Sequence, residues 1–120
     1  MTLTQLKIFI MVAELGNVTK AAERLGLTQS AASAAIAAIE NTYQVKLFER
    51  VGRSVELSET GKRFLPEAQS TIRSARATVR NLRSLSGKTY GNLHITASHT
   101  IAHYWLPQRL ATFHSRNPEV

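Results

Sequence analysis

Residues 20–33 read KAAERLGLTQSAAS, and this stretch decides the fold. A small residue, Ala22, is followed four positions later by Gly26 and then by Leu27. The pattern is typical of a helix-turn-helix, which needs a small side chain where two helices touch and a glycine where the turn is tight. The sequence therefore predicts two helices joined at Gly26.

Capping residues set the expected bounds of these two helices. Thr19 is the predicted cap of a short helix over residues 20–25, and either Thr28 or Ser30 caps a longer helix that ends near Tyr43. The buried positions expected on this longer third helix are Ala32, Ile36 and Ile39.

A further helix is predicted before the turn. Its apolar residues recur at i, i+3, i+4 and i+7, which makes one stripe, and it ends near Gly16, a residue suited to a C-terminal cap. The stripe consists of Leu6, Phe9, Ile10 and Ala13.

After the third helix, the sequence predicts a short β-hairpin. Residues 45–50, VKLFER, lead into the first strand, and residues 51–54, VGRS, form the turn. Residues 55–57, VEL, form the second strand. Arg53 lies at the predicted tip.

A long helix is expected from the cap Ser58 to about Ser86, a length of roughly 40 Å at 1.5 Å per residue. Pro66 should bend it or mark a false start. Its apolar stripe has heptad spacing and could pack either on the chain's own core or on a second copy. Because the helix exceeds the expected width of the N-terminal domain, dimerisation is favoured. The stripe is Leu65, Ala68, Ile72, Ala75, Val79 and Leu82.

The sequence changes character at residues 86–91, SGKTYG, where two glycines break the helix. Residues 93–97, LHITA, alternate like a strand, and an amphipathic stretch interrupted at Pro107 follows. One strand and one helix cannot make a core. We expect either a piece of a longer protein or a tail that packs elsewhere, with domains at 1–57, 58–87 and 88–120.

Charge points to a polyanionic partner such as nucleic acid or an anionic membrane, since the formal net charge is +7. Residues 1–57 carry six bases and five acids, whereas residues 58–90 carry seven bases and two acids. The absence of Cys excludes disulfides and thiolate metal sites and favours a cytoplasmic location. The N-terminus predicts neither a signal peptide nor a membrane span.

In this order, the motifs resemble those of the LysR-type transcriptional regulators, and the resemblance covers the whole chain. The matching motifs are LKIF at 6–9, GNVTKAAERL at 16–25, LTQSAAS at 27–33, LFER at 47–50, LSETG at 57–61 and GNLHITAS at 91–98.

The resemblance implies a mainly α fold: a winged helix-turn-helix, a long dimerisation helix, and the first strand and helix of a truncated α/β effector domain. The third helix would enter the major groove and the wing the minor groove of double-stranded promoter DNA. The other implied partners are further copies of the chain, as a dimer through the long helix or as a tetramer of the full-length protein. A small-molecule effector is implied only with the complete second domain. We expect no membrane partner, cofactor or metal.

The resemblance places Gln29, Ser30 and Ser33 of the third helix at positions that meet base edges, and base contacts are predicted there and at Ala34 and Arg53. Gln pairs bidentately with adenine, whereas Ser can form a hydrogen bond with more than one kind of base. Ala34, like Ala31, could touch a thymine methyl group. With so few polar groups, specificity should lean on DNA shape, and Arg inserts into narrow A·T-rich minor grooves. Alternatively, Ser30 is a cap and Ser33 a small packing residue.

Phosphate contacts are predicted for Thr19, Lys20, Thr28 and Arg50. Lys20 could equally be a solvated charge, and Arg50 could pair with Glu49 or Glu56. Four arginines flank the apolar stripe of the long helix, and side chains in such positions are more often solvated than bound to DNA. They are Arg73, Arg76, Arg80 and Arg83.

The resemblance places the effector pocket of the full-length protein at Ser98 and Thr100, for which a plain helix cap is the alternative. His99 and His103 lie four apart, but without a carboxylate or Cys partner they are a weak metal signal. The rival class is a protein-interaction module with a vestigial helix-turn-helix. An enzyme is not expected, because no His and carboxylate set converges.

Overall fold

The predicted turn at Gly26 is present in the computed structural model of the chain, which describes residues 1–85, 87 and 91–120. The described residues form two compact units, Met1–Ala75 and Arg76–Val120. Most of the predicted break at residues 86–91 lies outside the described residues. The helical, winged fold class is confirmed.

In chain order, three helices, a two-stranded sheet and a long helix make up residues 3–84. Their bounds are α1 Leu3–Leu15, α2 Val18–Arg24, α3 Gln29–Tyr43, β1 Phe48–Val51, β2 Ser54–Leu57 and α4 Glu59–Ser84. The last of these contributes residues to both units. Gly26 has a positive φ of 68°, which favours glycine, and the Leu27 N–H donates to the Ala22 carbonyl at 2.9 Å.

Local capping bonds fix the helix ends, and one differs from the prediction. The predicted cap of α2, Thr19, is wrong: Asn17 has the extended backbone of a cap, and its Oδ1 accepts from the Lys20 N–H at 2.9 Å. Thr19 therefore lies inside the first turn. Thr28 rather than Ser30 caps α3, and Gly16 ends α1 in the left-handed conformation, as predicted.

Two apolar clusters share α1. The first joins α1 to the end of α3 and to α4 through Leu6, Phe9, Ile39, Leu47, Ala68 and Ile72. The second joins α1 to α2 and the start of α3 through Ile8, Val12, Ala21, Ala22, Ala32 and Ile36. Because α1 is covered on two sides, Ile8 and Val12 are buried, whereas the predicted stripe members Ile10 and Ala13 are half-buried. The predicted buried positions of α3 are confirmed.

The stripe on α4 divides into a buried and an exposed part. In the single chain, Ala68 is 1% and Ile72 6% exposed, and Leu65 packs against the same cluster. The assignment of Ala68 and Ile72 to a dimer seam is therefore corrected, since their own core already covers them, whereas Leu65 is only half-buried. Val79 and Leu82 are 49% and 68% exposed. Most of the apolar surface that the stripe offers to a partner therefore lies in this later part of the helix.

Pro66 lies inside α4 and does not mark a false start, because the helix begins at Glu59. Ser58 caps the N-terminus of α4, since its hydroxyl accepts from the Gly61 N–H at 3.0 Å. The same hydroxyl donates to the Lys46 carbonyl at 2.6 Å. The cap thus also fixes the chain segment that leads into β1.

The second unit departs from the predicted strand-helix pattern. Residues 93–97 form no strand, since no described segment pairs with them, and a strand exists only through such pairing. A π-helical segment, Ile101–Trp105, precedes α5, Leu106–Arg116. Pro107 lies where the π-helical segment gives way to α5, in the first turn of α5, where its missing N–H is tolerated.

None of the helices in the described ranges combines the length and the apolar character needed to cross a membrane.

Candidate DNA-binding interface

The first turn of α3 presents polar groups to solvent on a fixed frame. Thr28 Oγ1 accepts from the Ala31 N–H at 3.2 Å and lies 3.1 Å from the Ser30 hydroxyl. The Thr28 and Ser30 hydroxyls are thus engaged with each other and with the helix end. Ser30 and Ala34 are both exposed, as a base-contacting role requires.

One turn further along, Gln29 and Ser33 form a side-chain hydrogen bond. Gln29 Nε2 donates to Ser33 Oγ at 2.9 Å. Gln29 is exposed and Ser33 is half-buried, so the amide lies on the outer side of the pair. The bond holds the longest polar side chain of this helix face in one conformation.

The wing is a hairpin with a two-residue turn. Its register pairs Val51 with Ser54, which leaves Gly52 and Arg53 at the tip. Gly52 has a positive φ of 61°, and the Ser54 hydroxyl donates to the Val51 carbonyl at 2.9 Å. The tight turn places the exposed guanidinium of Arg53 at the far end of the hairpin.

Arg50 lies on β1 opposite Val55, and its side chain is exposed. Within the described ranges, the ion pairs are Lys46 with Glu40 and Lys62 with Glu59, and neither includes Arg50 or Arg53. The alternative that Arg50 pairs with Glu49 or Glu56 is therefore wrong. Both arginines keep their charge available for an external anion.

A polar cleft of about 190 Å³ lies between the helix-turn-helix and the wing. It brings together four of the predicted DNA-contacting residues from α2, α3 and the hairpin: Thr19, Gln29, Arg50 and Arg53. The remaining predicted contacts, Lys20, Thr28, Ser30, Ser33 and Ala34, do not line the cleft. All of them except the half-buried Ser33 are exposed.

Two long-range contacts hold the wing against the helices. The Val55 N–H on β2 donates to the Gly16 carbonyl at the end of α1, at 3.1 Å. Glu40 on α3 reaches the start of β1, where its Oε1 accepts from the Leu47 N–H at 2.7 Å and the Phe48 N–H at 3.3 Å. These hydrogen bonds therefore connect the helices on one side of the cleft to the hairpin on the other.

Sequence reasoning missed two residues of this site. Asn17 lines the cleft and caps α2; its place just before the helix, three residues ahead of Lys20, was the available signal. The role of Glu40 was not predicted, because its hydrogen-bond partners lie seven and eight residues away and no local pattern marks them.

Charge is distributed unevenly outside the cleft. Arg73, Arg76, Arg80 and Arg83 are all exposed along α4. At its start, Lys62 donates to Glu59 at 2.7 Å, and this bond lowers the pKa of the Glu59 carboxyl and raises the pKa of Lys62. The acid thus stays ionised at the helix N-terminus, where the dipole favours it.

The predicted effector residues belong to the second unit. Ser98 and Thr100 are exposed, and the Ala102 N–H donates to the Ser98 carbonyl at 2.9 Å. Thr100 makes no side-chain cap, so the plain capping alternative fails for it. The exposed rings of His99 and His103 stack with their centroids 4.1 Å apart. Among the described residues, no third His, Cys, Asp or Glu joins them.

A helix-turn-helix, a basic hairpin tip and a shared polar cleft together define a winged helix-turn-helix protein. The family model described as "Bacterial regulatory helix-turn-helix protein, lysR family" matches residues 3–62. The chain therefore belongs to the LysR family of bacterial regulatory helix-turn-helix proteins.

A curated relative supports the same assignment. An uncharacterized HTH-type transcriptional regulator in the ibpB–leuC intergenic region of Azotobacter vinelandii is 45% identical over 89% of this chain. The chain spans 74% of that relative's length and 37–41% of the length of three others that it matches.

Two solved structures agree in fold. A crystal structure of a CbnR DBD–DNA complex has a TM-score of 0.68 at 36% identity, over 72% of this chain and 99% of that one. A Corynebacterium glutamicum OxyR C206 mutant has a TM-score of 0.83 at 32% identity, over 99% of this chain and 37% of that one.

Proposed function

We propose that the chain is the DNA-binding part of a transcriptional regulator and reads promoter DNA with α3 and the wing. The observation that carries this proposal is the cleft, in which the Gln29 amide and the unpaired cations Arg50 and Arg53 converge. A cleft of this composition suits the sugar-phosphate backbone between two grooves. The CbnR DBD–DNA complex named above supports the same reading.

The contacts divide by chemistry. Gln29 on α3 offers an amide that suits adenine, and Arg53 at the wing tip suits a narrow minor groove. Ser30 and Ala34 complete the helix surface. Thr19, Lys20, Thr28 and Arg50 are proposed as phosphate contacts that position the domain without reading sequence.

Self-association through the exposed part of the α4 stripe is part of the proposal. Two copies would place two reading helices on one duplex, and Ala75, Val79 and Leu82 offer the apolar surface. In a full-length protein, a small-molecule effector would bind a complete second domain at Ser98 and Thr100. We place such a regulator in the cytoplasm, as a DNA-binding protein without catalytic activity.

The test begins with selection of bound duplexes from a random-sequence pool by the 120-residue chain. Affinity for a selected duplex is then measured from low to high salt. DNA binding should weaken steeply, because each neutralised phosphate releases counterions. The rival, a protein-interaction module, predicts no sequence enrichment and binding that ignores salt.

Arg53→Ala is the matched variant, with Arg63→Ala as the control that removes the same charge from an exposed position on α4. We expect Arg53→Ala to weaken binding about tenfold and to reduce the preference for A·T pairs at the wing position. Arg63→Ala should change affinity far less. Equal effects of the two variants would contradict a wing-specific role and leave only general attraction.

A further inference from the structure

Of residues 29–35 on α3, only Gln29, Ser30 and Ser33 have polar side chains. Ser30 Oγ lies 3.1 Å from the capping oxygen of Thr28, so it belongs to the helix end. The two remaining polar groups are bonded to each other, since Gln29 Nε2 donates to Ser33 Oγ. Base recognition by this helix face therefore depends on one amide and on the hydroxyl that holds it.

The bond leaves the amide equipped for a bidentate contact. A Gln side chain has one acceptor oxygen and two N–H donors, and the bond to Ser33 uses one donor. The oxygen and the second donor remain for adenine, which presents the N6 donor and the N7 acceptor in the major groove. No protein group bonds the Gln29 oxygen within the part of the chain that the structure describes.

Holding the amide has an energetic consequence. A free, exposed Gln populates many rotamers, and freezing them on binding costs entropy. A side chain already held by a neighbour avoids part of that cost. Residues four apart on a helix are neighbours, and the Thr28 cap fixes the first turn, so Ser33 holds Gln29 before any ligand arrives.

We propose that Ser33 is a positioning residue: its hydroxyl fixes the Gln29 amide for an adenine at one base pair, and Ser33 reads no base itself. This inference rests on the proposed function. The sequence predicts a base contact for both Gln29 and Ser33, whereas this inference assigns the base contact to Gln29 and the positioning role to Ser33.

The experiment uses the 120-residue chain and a duplex selected by it, with every base pair of the duplex replaced in turn. The variants are Ser33→Ala, Gln29→Ala and the double variant, with Ser33→Thr as the conservative replacement and Ser70→Ala, at an exposed position on α4 outside the interface, as the matched control. Circular dichroism verifies that each variant is folded.

We expect Ser33→Ala to lower the preference for adenine about three- to tenfold, the size of one net hydrogen bond, at the base pair that Gln29→Ala also affects. Added to Gln29→Ala, it should have no further effect, since a positioning residue has nothing left to position. Ser33→Thr should retain the preference. The salt dependence should not change, because no charge is removed.

Two results would overturn the inference while leaving DNA reading intact. An effect of Ser33→Ala at a base pair that Gln29→Ala does not touch would mean that Ser33 reads a base. An unchanged preference would mean that the bond has no role in recognition. If the wild-type chain enriches no sequence, the proposed function itself fails, and the inference falls with it.

Discussion

Glu40 connects α3 to the hairpin, so its removal should destabilise the domain although Glu40 is not among the residues that line the cleft. Its side chain is 14% exposed, and one carboxylate oxygen accepts both the Leu47 and the Phe48 N–H. Glu40→Ala leaves these two partly buried donors without their acceptor. An unsatisfied buried donor costs more than a typical hydrogen bond contributes.

The magnitude follows from the two distances. The bond at 2.7 Å to an ionised oxygen is worth about 1.5–3 kcal/mol, and the bond at 3.3 Å about 0.5–1 kcal/mol. Glu40→Ala should therefore lower the free energy of unfolding by about 2–4 kcal/mol, out of about 5–15 kcal/mol for a typical domain. In a unit of this size, Tm should fall by roughly 10–25 °C.

The ion pair of Glu40 contributes little. Lys46 Nζ lies 3.6 Å away and its side chain is 81% exposed, so Lys46→Ala should cost about 0–1 kcal/mol. Glu40→Gln keeps an acceptor oxygen at the same place and loses only the charge, so its effect should be about 1 kcal/mol. The three variants separate hydrogen bonding from charge.

Thermal and urea unfolding followed by far-ultraviolet circular dichroism measures these differences. Protein concentration must be held constant, because self-association shifts apparent stability. If Glu40→Ala unfolds within about 0.5 kcal/mol of the wild type, or if Lys46→Ala is equally damaging, the role of the carboxylate is refuted.

Two further predictions concern α4. Val79→Asp with Leu82→Asp should halve the mass measured by light scattering without loss of helix signal, since both side chains are exposed in the single chain. Ser70→Asp on the opposite face is the control, and an unchanged mass for the double variant would exclude this dimer contact. Gly61→Ala places a methyl group against the Leu47 carbonyl and should cost about 3 kcal/mol, more than the roughly 1 kcal/mol of helix propensity it gains; a more stable variant would show that the contact relaxes freely.

Local chemistry predicted the first unit well. The small residue Ala22, the turn at Gly26 and the cap Thr28 each act within one helical turn, and the structure places all three as expected. The hairpin could also be predicted, because its turn residues are adjacent in the chain. The cap of α2 was predicted wrongly at Thr19, because Asn17, two residues earlier, is also a residue type that caps helices.

The cleft could be predicted only in its parts. Thr19, Gln29, Arg50 and Arg53 are identifiable as DNA-contacting types, but they come from three elements whose arrangement depends on bonds such as Val55 to Gly16. Residues 93–97 show the same limit. Alternation predicts a strand there, yet strand formation needs a second segment, which alternation does not supply.

By itself, the sequence determined the helix-turn-helix, the wing and the family, since these depend on residues a few positions apart. The tertiary structure decided which surface each pattern faces. Ala68 and Ile72 belong to the same stripe as Val79 and Leu82, but Ala68 and Ile72 pack in the core cluster that contains α1 residues, whereas Val79 and Leu82 are exposed. Likewise, the turn at Gly26 is local, whereas the cleft that Gln29 lines forms only because the tertiary structure brings α2, α3 and the hairpin together.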